Sequence, residues 1–246
     1  MKKLLLILLI PFSLFSQSTL IFSEYGEGTS NNKWVEIYNP TFQQINLDEY
    51  HYNFCWNDCD SMQWEFSIPF DSGYVLMPGQ TYLIVHHNAD TVLLSSANQT
   101  TNILSNGNDV CALYNITMNQ VIDVIGDVNY PVSDGWDILS NIEVTKNHTL
   151  IRNPNVCGGN LGDWSSSNGS INGISEWSVH SIDDFNNLNT HTSDCISSTS
   201  VEELDTLKKE IVEVRDVLGR KTKYTVNQLL FYIYNDGTVE KKITIE

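Results

Sequence analysis

Residues 21–36 read IFSEYGEGTSNNKWVE, and IYNPT follows directly at 37–41. In the second half of this stretch Val35 and Ile37 fall on one face, and Trp34, Glu36 and Tyr38 on the other, which is the two-residue period of a β-strand. The spacing predicts strands over Thr19–Phe22 and Lys33–Tyr38, with a polar Gly/Ser/Asn loop between them. Working outward, runs of the same kind recur at Tyr74–Met77, Thr81–His86, Asp109–Tyr114 and Gln120–Ile125. Each is bounded by turn chemistry such as Asn39-Pro40, Pro78-Gly79 and Asn106-Gly107. Short strands spaced by turns predict an all-β sandwich or barrel. No 3.6-residue apolar stripe precedes residue 200, so no sizeable helix is expected there.

The chain has 246 residues, 41% hydrophobic, 11% aromatic and only 17% charged. That composition excludes a disordered chain, a coiled coil and a collagen-like repeat. Lysine and arginine total 13 against 30 acids, a formal charge of -17. Residues 4–200 carry 21 of the acids and only three basic residues, Lys33, Lys146 and Arg152. A surface that acidic repels a phosphate backbone, which argues against direct nucleic-acid binding.

Met1-Lys2-Lys3 followed by LLLILLIPFSLF at 4–15 and by Ser16-Gln17-Ser18 has the pattern of a secretory signal peptide, cut after Ser16 or Ser18. The apolar run is shorter than the roughly 20 residues that a membrane span requires. The protein is therefore expected to be exported through the periplasm to the medium or the outer cell surface, and not to be an integral membrane protein. Composition divides the chain into a leader at 1–18, a β domain at 19–195, a polar linker at 196–207 and a more basic β-rich tail at 208–246.

The opening stretch resembles the start of the lamin-tail domain as it occurs in exported bacterial proteins. The likeness continues in order through NLDEY at 46–50, LMPGQTYLIV at 76–85, LSNGNDVCALY at 104–114, VIDVIG at 121–126, TLIR at 149–152 and Glu176-Trp177. What the resemblance implies is an immunoglobulin-like β-sandwich and a non-catalytic role. The chain departs from the family's pattern in an insertion around Cys55–Gln63 and in the Asn/Gly/Ser-rich stretch at Asn153–Asn172, both expected to be long loops. The end of the chain resembles a second family, the C-terminal sorting tail of the type IX secretion system. EVRDVLGR at 213–220, LFYIY at 230–234 and NDG at 235–237 carry that likeness, which implies the secretion machinery as a partner. The tail is shorter than the usual sorting domain, and Leu-Phe replaces its usual glycine.

Chemistry-bearing patterns are few. The six histidines (His51, His86, His87, His148, His180 and His191) form neither HExxH nor a spaced Cys/His zinc pattern. His86 and His87 are adjacent in a predicted strand, which would point their side chains opposite ways. No nucleophile elbow, Walker loop or dinucleotide fingerprint occurs, so no catalytic residue, resident metal site or cofactor is expected, calcium being the one cation that the acidic surface would suit. The candidate binding residues are Glu24, Glu27, Asn31, Asn32 and Glu36, around the GEGTSNNK loop. They would ligand a cation or a partner, or else satisfy backbone groups and turn geometry. Trp56, Trp64, Trp136 and Trp164 would stack on sugars if exposed, or anchor the core if not.

Five cysteines leave at least one unpaired. Position favours Cys157 with Cys195, pinning the end of the β domain to its body, and Cys55 with Cys59 inside CWNDC. Cys111, within a predicted strand, is expected to remain a buried thiol. The functional expectation is a non-catalytic exported interaction or adhesion module with an unidentified protein or glycan partner. The alternatives are a calcium- or carbohydrate-binding surface domain, or an accessory module to an exported nuclease.

Overall fold

A computed structural model describes residues 19–57, 59, 63–196, 211–223, 225–235 and 237–244. The expected leader at 1–18 and all of the expected linker beyond Ile196 lie outside the described residues. Contacts divide the chain between Ile196 and Ser197.

The larger unit is an immunoglobulin-like β-sandwich. One sheet contains β1 (Ile21–Glu27), β2 (Lys33–Tyr38), β7 (Thr81–His86), β8 (Gln99–Thr101), β11 (His148–Arg152) and β12 (Trp177–His180), in the order β12-β11-β1-β2-β7-β8. The other contains β4 (Tyr50–Cys55), β5 (Phe66–Pro69), β9 (Val110–Asn115) and β10 (Gln120–Ile125), in the order β10-β9-β4-β5. A two-stranded pair, β3 (Ile45–Asn46) with β6 (Val75–Leu76), closes one end. All pairings are antiparallel except β7 with β8, which a short helix, α1 (Thr91–Ser96), connects. The inner faces meet over a core that includes Phe22, Val35, Ile37, Tyr52, Phe54 and Leu113. Phe22 of β1 meets Tyr52 of β4 edge-on, with ring centroids 6.5 Å apart.

The alternation in Trp34–Tyr38 holds, but β2 is buried on both faces. Trp34, on the outer face, belongs to a second apolar cluster with Leu83, Val85, Ala89 and Leu93. Phe185 and Leu188, from the stretch after β12, pack against it, and the Phe185 ring meets Trp34 edge-on at 5.2 Å. Residues 181–196 thus form a strap over the outer face of the larger sheet. Gly26 is the cross-strand neighbour of Trp34, and a Cβ there would lie 2.3 Å from the indole. Only glycine leaves room for the ring, the close-approach role that glycine plays in a strand.

Two disulfides are present, Cys55–Cys59 and Cys157–Cys195, with Cα separations of 5.2 and 5.3 Å. Cys111 is a buried free thiol in β9. The loop between β11 and β12 contains one helical turn, α2 (Trp164–Ser167), whose Ser166 N–H donates to the Asp163 carboxylate. The smaller unit is a three-stranded meander of β13 (Ile211–Arg215), β14 (Leu229–Tyr234) and β15 (Val239–Ile243). Its first turn follows β13: Asp216 accepts from the N–H groups of Leu218 and Arg220, and Gly219 takes a positive φ of 76°.

Candidate functional site

The strands that flank the GEGTSNNK loop bring Glu24 and Glu36 directly opposite each other on the outer face of the sheet, and the strap covers both. Glu24 is 1% exposed and Glu36 has no exposed surface. The Glu24 carboxylate accepts from the Trp34 indole N–H at 2.8 Å through Oε1, while Oε2 has no partner. Glu36 accepts from the Ser23 hydroxyl at 2.7 Å and from the Asn189 backbone N–H of the strap at 2.5 Å. Burial is the first cause of the upward displacement of both carboxyls. It lifts Glu24 to about 8, with the negative field of Glu36 adding to it, and Glu36 to about 7 against its two hydrogen bonds.

Glu27 and Lys33 form a buried ion pair at 2.6 Å, and Glu27 also accepts from the Asn147 N–H while Lys33 donates to the Ser105 carbonyl. Asn32 is 3% exposed; its amide donates to Asp90 and its oxygen accepts from the Asp90 N–H. Asp183 of the strap accepts from the Thr29 N–H and hydroxyl, and a Cβ on Gly28 would collide with it at 2.1 Å. Of the five candidate residues, Asn31 alone keeps partial exposure. Glu24, Glu27, Asn32 and Glu36 are turned inward, where they join the loop, strap and sheet together.

Other expectations change in detail. His86 and His87 do not project oppositely: β7 ends at His86, the chain turns, and the two rings stack with centroids 4.7 Å apart. Trp136 and Trp164 are 5% and 3% exposed and belong to the core, so they offer no face to a sugar. Trp56 and Trp64 are half-buried, and Trp56 is engaged edge-on with Phe54 at 4.8 Å. Sequence reasoning missed the strap's grip on the sheet altogether. Its partners were visible only as Asp183, Phe185 and Asn189 in a polar stretch without strand or helix periodicity.

Arg152 is 1% exposed and bridges the two sheets. Its Nη1 and Nη2 donate to the two oxygens of Asp123 in β10 at 2.9 and 3.3 Å, and Nη2 also donates to Glu176 at 2.7 Å. The guanidinium lies 4.6 Å above the Trp177 ring. Asp123 in turn accepts from the N–H groups of Phe22 and Asn160. Under the strap a small cavity of about 180 Å³ is bounded by Arg152, His180 and His191. Burial, with the Arg152 charge adding to it, holds His191 down to about 4.

The buried carboxyls make a pH prediction. An acid raised on folding stabilises the native state below its unfolded value of 4.5, and that stability is lost as pH rises through the folded value. His191 and His86, both depressed from 6.5, act in the opposite direction, and their effect fades as pH rises past 6.5, so the carboxyls dominate the window from 6.5 to 8. Stability in urea should fall there by about 1.4 kcal/mol per pH unit for each proton released. Glu24→Gln should flatten the fall; an unchanged slope in the variant would refute the assignment.

Chemically, the arrangement holds no accessible nucleophile beside a base. Among the described residues no three His, Cys, Asp or Glu side chains converge as metal ligands, and no helix is long and apolar enough to cross a membrane. Residues 15–129 match the family model of the Lamin Tail Domain, a non-enzymatic immunoglobulin-like domain. The match ends after β10, whereas the sandwich continues through β11, β12 and the strap. No curated protein matches the chain. No solved structure matches it.

Proposed function

We propose that the protein is a non-catalytic interaction module, exported and displayed at the outer cell surface, in which the lamin-tail sandwich carries the binding surface. The observation that carries this reading is the family match on a sandwich whose conspicuous polar residues are spent internally, in the loop–strap–sheet network. Two disulfides are compatible with an oxidising, extracytoplasmic compartment. The Lys-Lys-led apolar run at 2–15 and the DVLGR tail turn suit a chain that enters the periplasm and leaves it by type IX secretion.

Cell fractionation tests the route. Deleting residues 208–246 should strand the protein in the periplasm while its melting temperature stays unchanged, because the two units separate by contacts. Surface display of the truncated chain would refute the sorting role. Hydrolysis of an ester, peptide, glycoside or DNA substrate above blank, abolished by one Asp, Glu or His substitution, would refute the non-catalytic role.

A further inference from the structure

In the sandwich, a groove of about 600 Å³ opens between the Thr41–Ile45 loop, the β9–β10 turn and the Gly158–Gly159 segment. That volume lies within the roughly 300–1,000 Å³ usual for small-molecule sites. None of the residues that line it carries a charged side chain, in a chain of net charge -17. Phe42 on one wall is 71% exposed and Met118 on the other is 61% exposed. Gln43, Gln44 and Gln120 line the groove, and none of their side-chain amides is used in an internal hydrogen bond.

The walls are held in place. Asn39 donates to the carbonyls of Gln43 and Leu76, and its oxygen accepts from the Thr41 N–H and hydroxyl, which shapes the first wall. On the far side a Cβ at Gly159 would lie 2.1 Å from the Ile122 carbonyl, so this segment sits tight against β10. The Asn160 side chain closes on both the N–H and the carbonyl of Val124, and Cys157 anchors the same segment to Cys195.

From this juxtaposition we propose that the groove is a binding site for a neutral oligosaccharide, a ligand class that deepens the interaction-module reading and rests on it. Each glutamine amide offers a donor and an acceptor side by side, the pairing that vicinal hydroxyls of a sugar satisfy. An exposed phenyl face supplies the flat apolar platform for the C–H face of a pyranose ring. The absence of charge removes any advantage for a phosphorylated, sulfated or uronic ligand, while the acidic remainder of the domain repels such ligands.

Titration calorimetry of the chain from Thr19 onward, which keeps every described residue of the sandwich, with maltotriose, cellotriose and triacetylchitotriose tests the site. At least one should bind with a Kd between about 10 µM and 1 mM. Phe42→Ala should weaken that binding about tenfold, and Gln120→Ala should weaken it too, with melting temperatures unchanged because both side chains are exposed. Ile174→Ala, exposed but outside the groove, should leave it unaltered. Binding of none of the three, binding indifferent to both groove substitutions, or preference for a sulfated heparin disaccharide would overturn the proposal. So would capture of a synthetic peptide of residues 2–18 in place of any sugar, since Thr19 lies at the groove wall. Chromatography of the bound sugar separates the two readings: intact sugar supports both, whereas cleaved sugar keeps the groove and overturns the non-catalytic role. A failed titration with retained binding to whole cells overturns the groove alone.

Discussion

Arg152→Met is expected to destabilise the sandwich by about 3–5 kcal/mol, the range for removing one partner of a buried ion pair. The reason is the position of Asp123, which has no exposed surface and takes four donors: Arg152 Nη1 and Nη2 and the N–H groups of Phe22 and Asn160. Without the guanidinium, two backbone donors face a charge that has lost its counter-ion. Burial already raises the Asp123 carboxyl above its ordinary range, and the Arg152 charge is the largest pull against that. In the variant the carboxyl should therefore pick up a proton on folding, so the deficit should grow as pH rises and shrink in acid. The shorter methionine chain also vacates the contact over Trp177, which adds lost packing. Asp123→Asn combined with Arg152→Met should recover part of the loss, because the amide oxygen still accepts from a backbone N–H while no unpaired charge remains. Urea unfolding of the two single variants and the double variant at pH 6 and pH 8 measures this. A single-variant loss below about 1 kcal/mol, or a loss independent of pH, would show that the bridge is not what holds the sheets together there.

How much of this could be read from the residues differs by element. Strands with a bulky two-residue period were legible almost to the residue: β2, β7 and β10 start and stop where Lys33–Tyr38, Thr81–His86 and Gln120–Ile125 placed them. β1 begins two residues later than expected, at Ile21, and runs on to Glu27. Gly26, which reads as turn chemistry, stays in the strand because Trp34 lies across it. The short helices α1 and α2 left no periodic signal, since six and four residues make too few turns to show one. The site was legible in composition but not in orientation. Glu36 read as a binding carboxylate on the face opposite Val35 and Ile37, and Glu24 as part of the polar loop after the first strand; neither reading could show that a strap some 150 residues downstream would cover that face too. The donor that proves the cover, Asn189 N–H to Glu36, spans 153 residues of sequence. Contacts made through a backbone amide leave no trace in side-chain pattern.

The double substitution Cys157→Ser and Cys195→Ser is expected to lower stability by about 3–4 kcal/mol, the chain-entropy value for opening a loop of this length. The two cysteines are 38 residues apart, whereas Cys55 and Cys59 are separated by four, so the corresponding change at the shorter bridge should cost clearly less. The more specific expectation concerns where the loss appears. The strap holds on through a few side chains: Phe185 and Leu188 on the Trp34 cluster, His191 against the Tyr38 ring at 4.7 Å, Asp183 on Thr29, and Asn189 on Glu36. With its end released, these contacts must pay the ordering entropy of the segment alone, and the strap should open ahead of the sandwich. Amide exchange at Asn189 and Asp184 should then speed up much more than exchange within β4 and β9, whose amides are bonded inside the smaller sheet. Opening also admits water to Glu24 and Glu36. Solvation removes the main cause of their upward displacement, so the decline in stability between pH 6.5 and 8 should flatten in the cysteine-free protein as it does in Glu24→Gln. A protein that loses stability yet keeps slow exchange at Asn189 and the full pH slope would place the disulfide's effect in the unfolded chain, with the strap held by its own contacts.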